Sequence, residues 1–319
     1  MKLALANPEH AEQISEFYQA VHDESFPHRE MFSASIVRRL LEEQELAVVI
    51  AFEGRGIVGC GLGFVQAWNQ SLEIGSLSVD DVPGRGQIGK ALFEGLRRLG
   101  IRQHGLALFR ARTEAAFRRG RNVGAVCWGY WPSPGRRSLD EADLIMGIFH
   151  EDGDFPRAEP PDNVITRMSF ARRVIESYHT VEYSVPYPKN YPVGAPRGTG
   201  TPVISGRIWP TYHSSGNFIT IESSAGPYPV EVIREFVGKV RQKGVSDVRL
   251  AMPVNQPEAF LELLDFGFRP VSYLPGWFVR GGYRFDCVEL IAGSPVPVGG
   301  ASFVERAIEK IDDGLKIYR

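Results

Sequence analysis

The sequence has few cysteines, no long apolar run and no excess of charge of either sign. Cys60, Cys127 and Cys287 are far apart, so neither a disulfide framework nor a zinc knot is predicted. The longest apolar run, residues 46 to 52, is far shorter than the ~20 residues that cross a bilayer. The formal net charge is only −2, which gives no bulk attraction to nucleic acid or to an anionic membrane. These shortages favour a cytoplasmic protein.

Several chemical motifs are also missing. The seven histidines show no HxH or HxxxH spacing, so no metal site is predicted. The chain contains no complete GxxxxGK[ST] phosphate loop and no GxSxG nucleophile elbow. An ATPase and a serine hydrolase of the common type are therefore disfavoured.

The length and the distribution of proline predict two domains. The chain has 319 residues, against roughly 150 for an average domain, and 43% of them are hydrophobic. Eleven of its 22 prolines fall between residues 156 and 229, and residues 151 to 162 have the composition of a linker. We predict one domain over residues 1–152, a second over 153–300, and a C-terminal helix over 301–319.

Hydrophobic periodicity predicts an α/β fold with a mixed sheet in both halves. In the first half we expect helices over residues 8–22, 33–43, 88–103 and 113–119, and strands over 2–6, 46–52, 57–67, 72–79, 105–112, 125–131 and 142–149. In the second we expect helices over 162–178, 229–243 and 257–265, and strands over 179–185, 201–209, 217–224, 247–252, 269–279 and 284–292. Because the order of elements recurs, we interpret the chain as a degenerate internal duplication.

The segment over residues 72 to 92 carries the most chemical information. It reads as a strand, a glycine-rich turn with Gly84, Gly86 and Gly89, and a helix. Free backbone N–H groups and the positive end of the helix dipole would meet there, which favours an anion. Arg85 and Lys90 add charge suited to the oxygens of a diphosphate. The alternative is a tight connection without a ligand.

This segment resembles the pyrophosphate loop of the GNAT superfamily of N-acyltransferases, Q/R-x-x-G-x-G/A after a strand. The ungapped counterpart is Gly84-Arg85-Gly86-Gln87-Ile88-Gly89, and a register shifted by two adds Lys90 and Ala91. Gly84 stands where the family has Gln or Arg, and in the ungapped register Gln87 stands where it has its first Gly. The element order of residues 1 to 150 is also the family's. The resemblance implies two GNAT-like domains in tandem and an acyl-CoA, such as acetyl-CoA, as cosubstrate.

The resemblance also implies catalytic residues. Glu73 lies where several GNAT enzymes have the base that deprotonates the amine; the alternative is an exposed strand glutamate. Leu77, Ser78 and Val79 would border the pantetheine arm and supply an oxyanion-binding N–H. Tyr130 is the candidate acid for the leaving thiolate, with a core tyrosine as the alternative.

In the second half, Asn255 and the pair Gly267-Phe268 resemble another GNAT signature. Pro227 and Pro229, however, remove N–H donors where a diphosphate would need them, so we expect this half to have lost cosubstrate binding. The predicted function is acyl transfer from acyl-CoA to an amine by direct attack. A non-catalytic acyl-CoA-binding or regulatory module and a scaffold are the alternatives, and a homodimer stays open.

Overall fold

The computed structural model describes residues 1–23, 26, 28–66, 69–132, 142–149, 157–178, 208–213, 217–223, 229–280, 282–293 and 302–317. The chain packs into two compact units. Unit 1 comprises Met1–Arg110 and Ile148–Asp154, and unit 2 comprises Ala111–Gly147 and Phe155–Arg319. The predicted first domain ends at residue 152, whereas residues 111 to 147 pack within unit 2. The division into independently folding domains stays a prediction.

Unit 1 contains five strands and three α-helices among its described residues. They are β1 (Lys2–Leu5), α1 (Ala11–Val21), α2 (Ala34–Glu42), β2 (Leu46–Glu53), β3 (Gly56–Gln66), β4 (Ser71–Val79), α3 (Arg85–His104) and β5 (Leu106–Ala111), whose last residue counts with unit 2. The strands lie in the order β1-β2-β3-β4-β5. All neighbours are antiparallel except β4 and β5, which are parallel.

Unit 2 contains the remaining described elements. They are α4 (Glu114–Asn122), β6 (Val126–Trp131), β7 (Asp143–Phe149), α5 (Ser169–Glu176), β8 (Ile208–His213), β9 (Phe218–Ser223), α6 (Val230–Gln242), β10 (Asp247–Pro253), α7 (Pro257–Asp265), β11 (Arg269–Arg280), β12 (Tyr283–Gly293) and α8 (Phe303–Leu315). The last two residues of β7 count with unit 1. The strands lie in the order β7-β6-β11-β12-β10-β9-β8, and β9 and β10 are parallel.

The predicted alternation of helices and strands is confirmed in the described residues, although several bounds differ; α4 runs to Asn122 and β8 to His213, beyond the predicted 119 and 209. Helix α3 begins at Arg85, three residues before the predicted start, because Gly84 adopts φ 83° and ends the loop there. The helix predicted over residues 162–178 shortens to α5, since the Asn163 side chain accepts from the N–H of Ile165 and holds a turn in its place. The strand predicted over 179–185 lies outside the described residues.

One part of the core of unit 1 lies between α1 and one face of the sheet, and Leu92 and Leu96 of α3 are buried against β3 on the other face. Ile14, Phe17 and Tyr18 of α1 are buried, as their helical spacing predicts, and they pack in one cluster with Cys60 and Leu62 of β3. Removal of this apolar surface from water stabilises the helix against the strand. The packing holds the C-terminal end of α1 against the face of the sheet on which Cys60 lies.

The same order of elements occurs twice along the chain. The series β4-α3-β5-α4-β6-β7 is followed by β9-α6-β10-α7-β11-β12. Pairing repeats as well, because the first two strands of each series are parallel neighbours and the last two are antiparallel neighbours.

Candidate functional site

The strands β4 and β5 separate part of the way along β4. They pair in parallel only over three positions, from Leu72↔Ala107 to Ile74↔Phe109. Strand β4 then continues through residues 75–79 and pairs with β3 at Leu77, Ser78 and Val79. Within the described part of unit 1, the other edge of these five residues has no strand partner. Their backbone groups on that edge are available to a ligand.

A β-bulge lies at the point of separation. The pairs Gly63↔Ile74 and Gly61↔Leu77 bracket one residue on β3 but two, Gly75 and Ser76, on β4. A bulge bends its strand and re-aims the side chains that follow. It therefore explains why β4 leaves its neighbour here. Leu77 is half-buried, and Ser78 and Val79 are buried.

The N-terminus of α3 follows directly after β4. The N–H of Arg85 donates to Val82 O at 3.2 Å, and those of Gln87 and Ile88 donate to Gly84 O at 2.8 and 3.1 Å. The N–H groups of Gly84 and Gly86 have no backbone acceptor in this described segment. A Cβ built on either glycine would meet nothing within 4 Å, so the surroundings of both donors are open.

The predicted loop residues divide into two sets. Arg85, Gln87 and Lys90 are exposed beside the two open glycines, whereas Ile88 is buried against β3, where its methyl group approaches Gly59. Gly89, Lys90 and Ala91 lie within the helix, so their N–H groups serve its internal hydrogen bonds. The anion site thus reduces to the first turn of α3.

These residues also match two nucleotide motifs in part. Gly84 to Lys90 fit the spacing of a phosphate loop, but Ala91 replaces its hydroxyl residue, and the segment is helical from Arg85 onward. The glycine spacing GxGxxG is that of a dinucleotide fingerprint as well. The acidic residue that this motif needs after the next strand is absent, because β5 ends at Ala111 and Arg112 follows. Neither nucleotide function is supported.

Glu73 lies on β4 just before the separation. Arg110 Nε is 2.7 Å from Glu73 Oε1, and the Glu73 side chain is 13% exposed. The contact is an ion pair whose angles do not satisfy a hydrogen bond at that oxygen. The guanidinium competes with an amine for the carboxylate, which weakens the case for Glu73 as a base.

A histidine that the sequence did not single out reaches the same strand. His22 follows the last residue of α1, and its Nε2 lies 2.7 Å from Ser78 Oγ. The ring is stacked on Tyr18 and on Phe26, with centroids 5.6 and 4.1 Å apart. Burial lowers the pKa of His22 from its ordinary value. The 56 residues between His22 and Ser78 explain why no local motif predicts the pair.

Tyr130 lies in unit 2 and is fully buried. Its hydroxyl donates to Asp312 Oδ1 at 2.8 Å and accepts from Arg269 Nη1 at 2.7 Å. Burial raises the pKa of Tyr130 above its ordinary value. These contacts fit the alternative of a core tyrosine, because both hydrogen bonds are satisfied inside the unit.

The segment of unit 2 that corresponds to β4 and the start of α3 is described only in part. Strand β9 pairs with β10 from Phe218 to Ile221 and extends two residues further. Residues 224–228, including Pro227, lie outside the described residues, and Pro229 is the N-cap of α6. The expectation that this half has lost cosubstrate binding stays a prediction.

Metal and membrane signatures do not emerge from the described ranges. No three His, Cys, Asp or Glu side chains there come together as metal ligands. No helix there is both long enough and apolar enough to cross a bilayer.

Comparison with known proteins finds solved structures that are similar to this chain. No protein-family model matches the sequence, and no curated protein matches it. The chain is similar to the aminoglycoside 6'-N-acetyltransferase from Enterococcus faecium at 17% identity and a TM-score of 0.38, over 47% of this chain and 97% of that one.

Two further solved structures give similar values. The ribosomal-protein-alanine N-acetyltransferase from Brucella melitensis matches at 17% identity and a TM-score of 0.38, over 47% of this chain and all of that one. The PaiA N-acetyltransferase from Thermoplasma acidophilum, in complex with coenzyme A, matches at 15% and 0.34, with coverages of 47% and 100%.

Proposed function

We propose that unit 1 binds an acyl-CoA and transfers its acyl group to an amine. The observation that carries the proposal is the separation of β4 from β5 over residues 75–79, five residues before a helix whose N-cap is Gly84. An open strand edge can pair with the amide groups of a pantetheine arm as a neighbouring strand would. The helix N-terminus that follows suits a diphosphate.

The first turn of α3 fits the diphosphate part of such a cosubstrate. Gly84 and Gly86 offer N–H donors without a backbone acceptor and without side chains that would block approach. Arg85 and Lys90 are exposed on the same turn and the next, and their charge complements phosphate oxygens. The cosubstrate supplies a thioester carbon that an amine can attack.

Unit 1 also supplies groups for the transfer itself. Backbone N–H groups on the open edge at residues 77–79 can stabilise an oxyanion, because they are oriented in advance by the pairing of β4 with β3. Glu73 stays a candidate base, although its ion pair with Arg110 has to open before it can serve an amine. Catalysis would consist mainly of positioning and oxyanion stabilisation.

The repeated order of elements supports a tandem of two GNAT-like domains, the second degenerate. The parallel pair β9·β10 and the antiparallel pair β11·β12 correspond to β4·β5 and β6·β7. Pro229 at the start of α6 has no N–H to offer an anion, where α3 has Gly84. In this proposal unit 2 is a structural or acceptor-binding lobe.

A second candidate is a non-catalytic acyl-CoA-binding or regulatory module. The observations that favour it are the engagement of Glu73 by Arg110 and the burial of Tyr130. Each of these features withdraws from the reaction a side chain that could act as its base or its acid. The two candidates share the cosubstrate site and differ in the release of free thiol.

Calorimetric titration with acetyl-CoA tests the binding site. We expect the double variant Arg85→Ala, Lys90→Ala to bind at least about tenfold more weakly, because two charge-assisted contacts to the diphosphate are lost. Arg102→Ala is the matched control, since it removes an exposed cation from the same helix about 25 Å away. Equal affinity for all three proteins contradicts the site.

Thiol release during incubation with acetyl-CoA and a panel of amines tests the reaction. An enzyme releases free coenzyme A in proportion to the amide formed. Binding without amine-dependent release supports the binding module instead.

A further inference from the structure

We propose that His22, acting through the hydroxyl of Ser78, accepts the proton that the attacking amine loses. The inference rests on the proposed function of unit 1 and assigns its proton acceptor. Its basis is a series of hydrogen-bonding side chains that runs from the open segment of β4 to the imidazole at the C-terminal end of α1.

The geometry gives a continuous path. Ser76 and Ser78 lie on the part of β4 that has left β5, and their Oγ atoms are 3.5 Å apart. Ser78 Oγ is in turn 2.7 Å from His22 Nε2. Ser76 is partly exposed, whereas Ser78 is buried, so the path leads from an accessible edge into the unit.

The backbone and the neighbouring rings fix the imidazole. His22 follows the last residue of α1 and leaves the helical conformation, with φ −132° and ψ 151°. Tyr18 and Phe26 stack on the ring at interplanar angles of 16° and 20°. Little conformational freedom is left to lose when the proton is transferred.

The surroundings favour a neutral ring that can accept a proton. Asp23 is the charged group beside His22 and opposes the effect of burial, which is larger and lowers the pKa of the ring. From α1, the Tyr18 hydroxyl faces the same strand, and burial raises its pKa, as it does for Cys60 of β3 behind it. Both therefore stay neutral at neutral pH.

Glu73 differs from His22 in this respect. Its carboxylate contacts the Arg110 guanidinium at 2.7 Å, a cation that keeps its charge at every physiological pH. The strongest described contact of the His22 ring nitrogen is the Ser78 hydroxyl, which can relay a proton in either direction. Of the two, His22 is the better placed acceptor.

The neutral amine nitrogen forms a bond to the thioester carbon, and the carbon–sulfur bond breaks to release the thiolate. The amine proton passes to Ser76 Oγ while the hydroxyl proton of Ser76 passes to Ser78 Oγ and that of Ser78 passes to His22 Nε2, with His22 starting as the Nδ1–H tautomer. The imidazolium then returns its proton to the thiolate through solvent, which leaves an amide, free coenzyme A and neutral His22.

Steady-state kinetics of the full chain with acetyl-CoA and an accepted amine tests the proposal. We expect His22→Gln to lower kcat by about 10²–10³-fold while the affinity for acetyl-CoA changes less than twofold. Ser78→Ala should lower kcat by about tenfold or more, and Ser78→Thr, which keeps a hydroxyl, should restore much of it. The wild-type decline of kcat at acid pH should be missing in His22→Gln.

Two comparisons separate the possible failures. His10→Gln is the control, because His10 accepts the N–H of Asn7 before α1, away from β4, and a glutamine side chain can accept the same N–H. Wild type that binds acetyl-CoA but releases no thiol with any amine overturns the proposed function and this assignment with it. Wild type that turns over, with His22→Gln equal to it in kcat and pH profile, overturns the His22 assignment alone.

Discussion

The two units contain an ion pair of the same kind in opposite surroundings. In unit 1, Glu73 and Arg110 are 13% and 40% exposed, beside the open edge of β4. In unit 2, Asp286 and Arg157 are 0% and 3% exposed. The buried carboxylate also accepts from the Tyr273 hydroxyl at 2.7 Å and from the Gly276 N–H at 2.8 Å. The first pair can open to a ligand, whereas the second fixes a core.

The strands that follow the same order differ in a similar way. Strand β4 runs five residues beyond its last pair with β5, and β9 runs only two beyond its last pair with β10. A longer free edge offers more backbone donors and acceptors to an extended ligand. The difference indicates that a repeated fold keeps or loses a site through details of pairing.

The largest effect should come from breaking the buried ion pair. Arg157→Met leaves the Asp286 carboxylate buried without its cation, and we expect a loss of about 3–5 kcal/mol in the free energy of unfolding. Arg110→Met should cost only about 0–1 kcal/mol, because the Glu73 pair is partly solvated. Urea unfolding followed by circular dichroism measures both. Equal losses would show that the two pairs do not differ as described.

Replacing a glycine by alanine tests the difference in local packing between the two units. A Cβ on Gly147 of β7 would overlap the Trp128 indole, whose Nε1 donates to the Tyr178 hydroxyl at 2.7 Å. We expect Gly147→Ala to destabilise the protein by about 1–3 kcal/mol, since the ring has to shift. Gly86→Ala, where the space is open, is the matched variant and should change the melting temperature little. A similar loss in both contradicts the open surroundings of Gly86.

The smallest expected effects are changes of stability with pH, and they should have opposite signs in the two units. Hydrogen bonds from Arg97 lower the pKa of Glu94 in unit 1 to about 2. The ionised Glu94 side chain therefore contributes fully to the free energy of unfolding above pH 4.5, its ordinary pKa. This contribution is lost as the pH falls toward 2. Glu94→Gln should cost about 0.5–1 kcal/mol at pH 7, reduced by solvent screening, and progressively less as the pH falls through 2.

Asp247 in unit 2 should behave in the opposite way. Burial raises its pKa, so ionisation lowers the stability as the pH rises through the ordinary value of 3.8. We expect Asp247→Asn to stabilise the protein at pH 7 and to have no effect near pH 3. Thermal melts of both variants from pH 2 to 7 give the signs directly. A loss of stability in Asp247→Asn at pH 7 would contradict the direction for this group.

Local sequence patterns predicted the elements well and the site in part. The strand over residues 72–79 and the helix over 257–265 differ from the structure by at most one residue at each end, because apolar spacing and a starting proline act locally. Gly84 was identified by its position after a strand, but the true start of α3 depended on its positive φ. The ion pair of Glu73 with Arg110 needed the parallel register of two strands.

The sequence by itself determined the class of fold and the succession of the described elements, since each depends on residues within a few positions of one another. Only the tertiary structure decided where β4 leaves β5, that Tyr130 is buried, and that His22 meets Ser78. Those features depend on packing between segments that are distant in the sequence. His22 and Ser78, for example, are 56 positions apart. No local periodicity carries information over that separation.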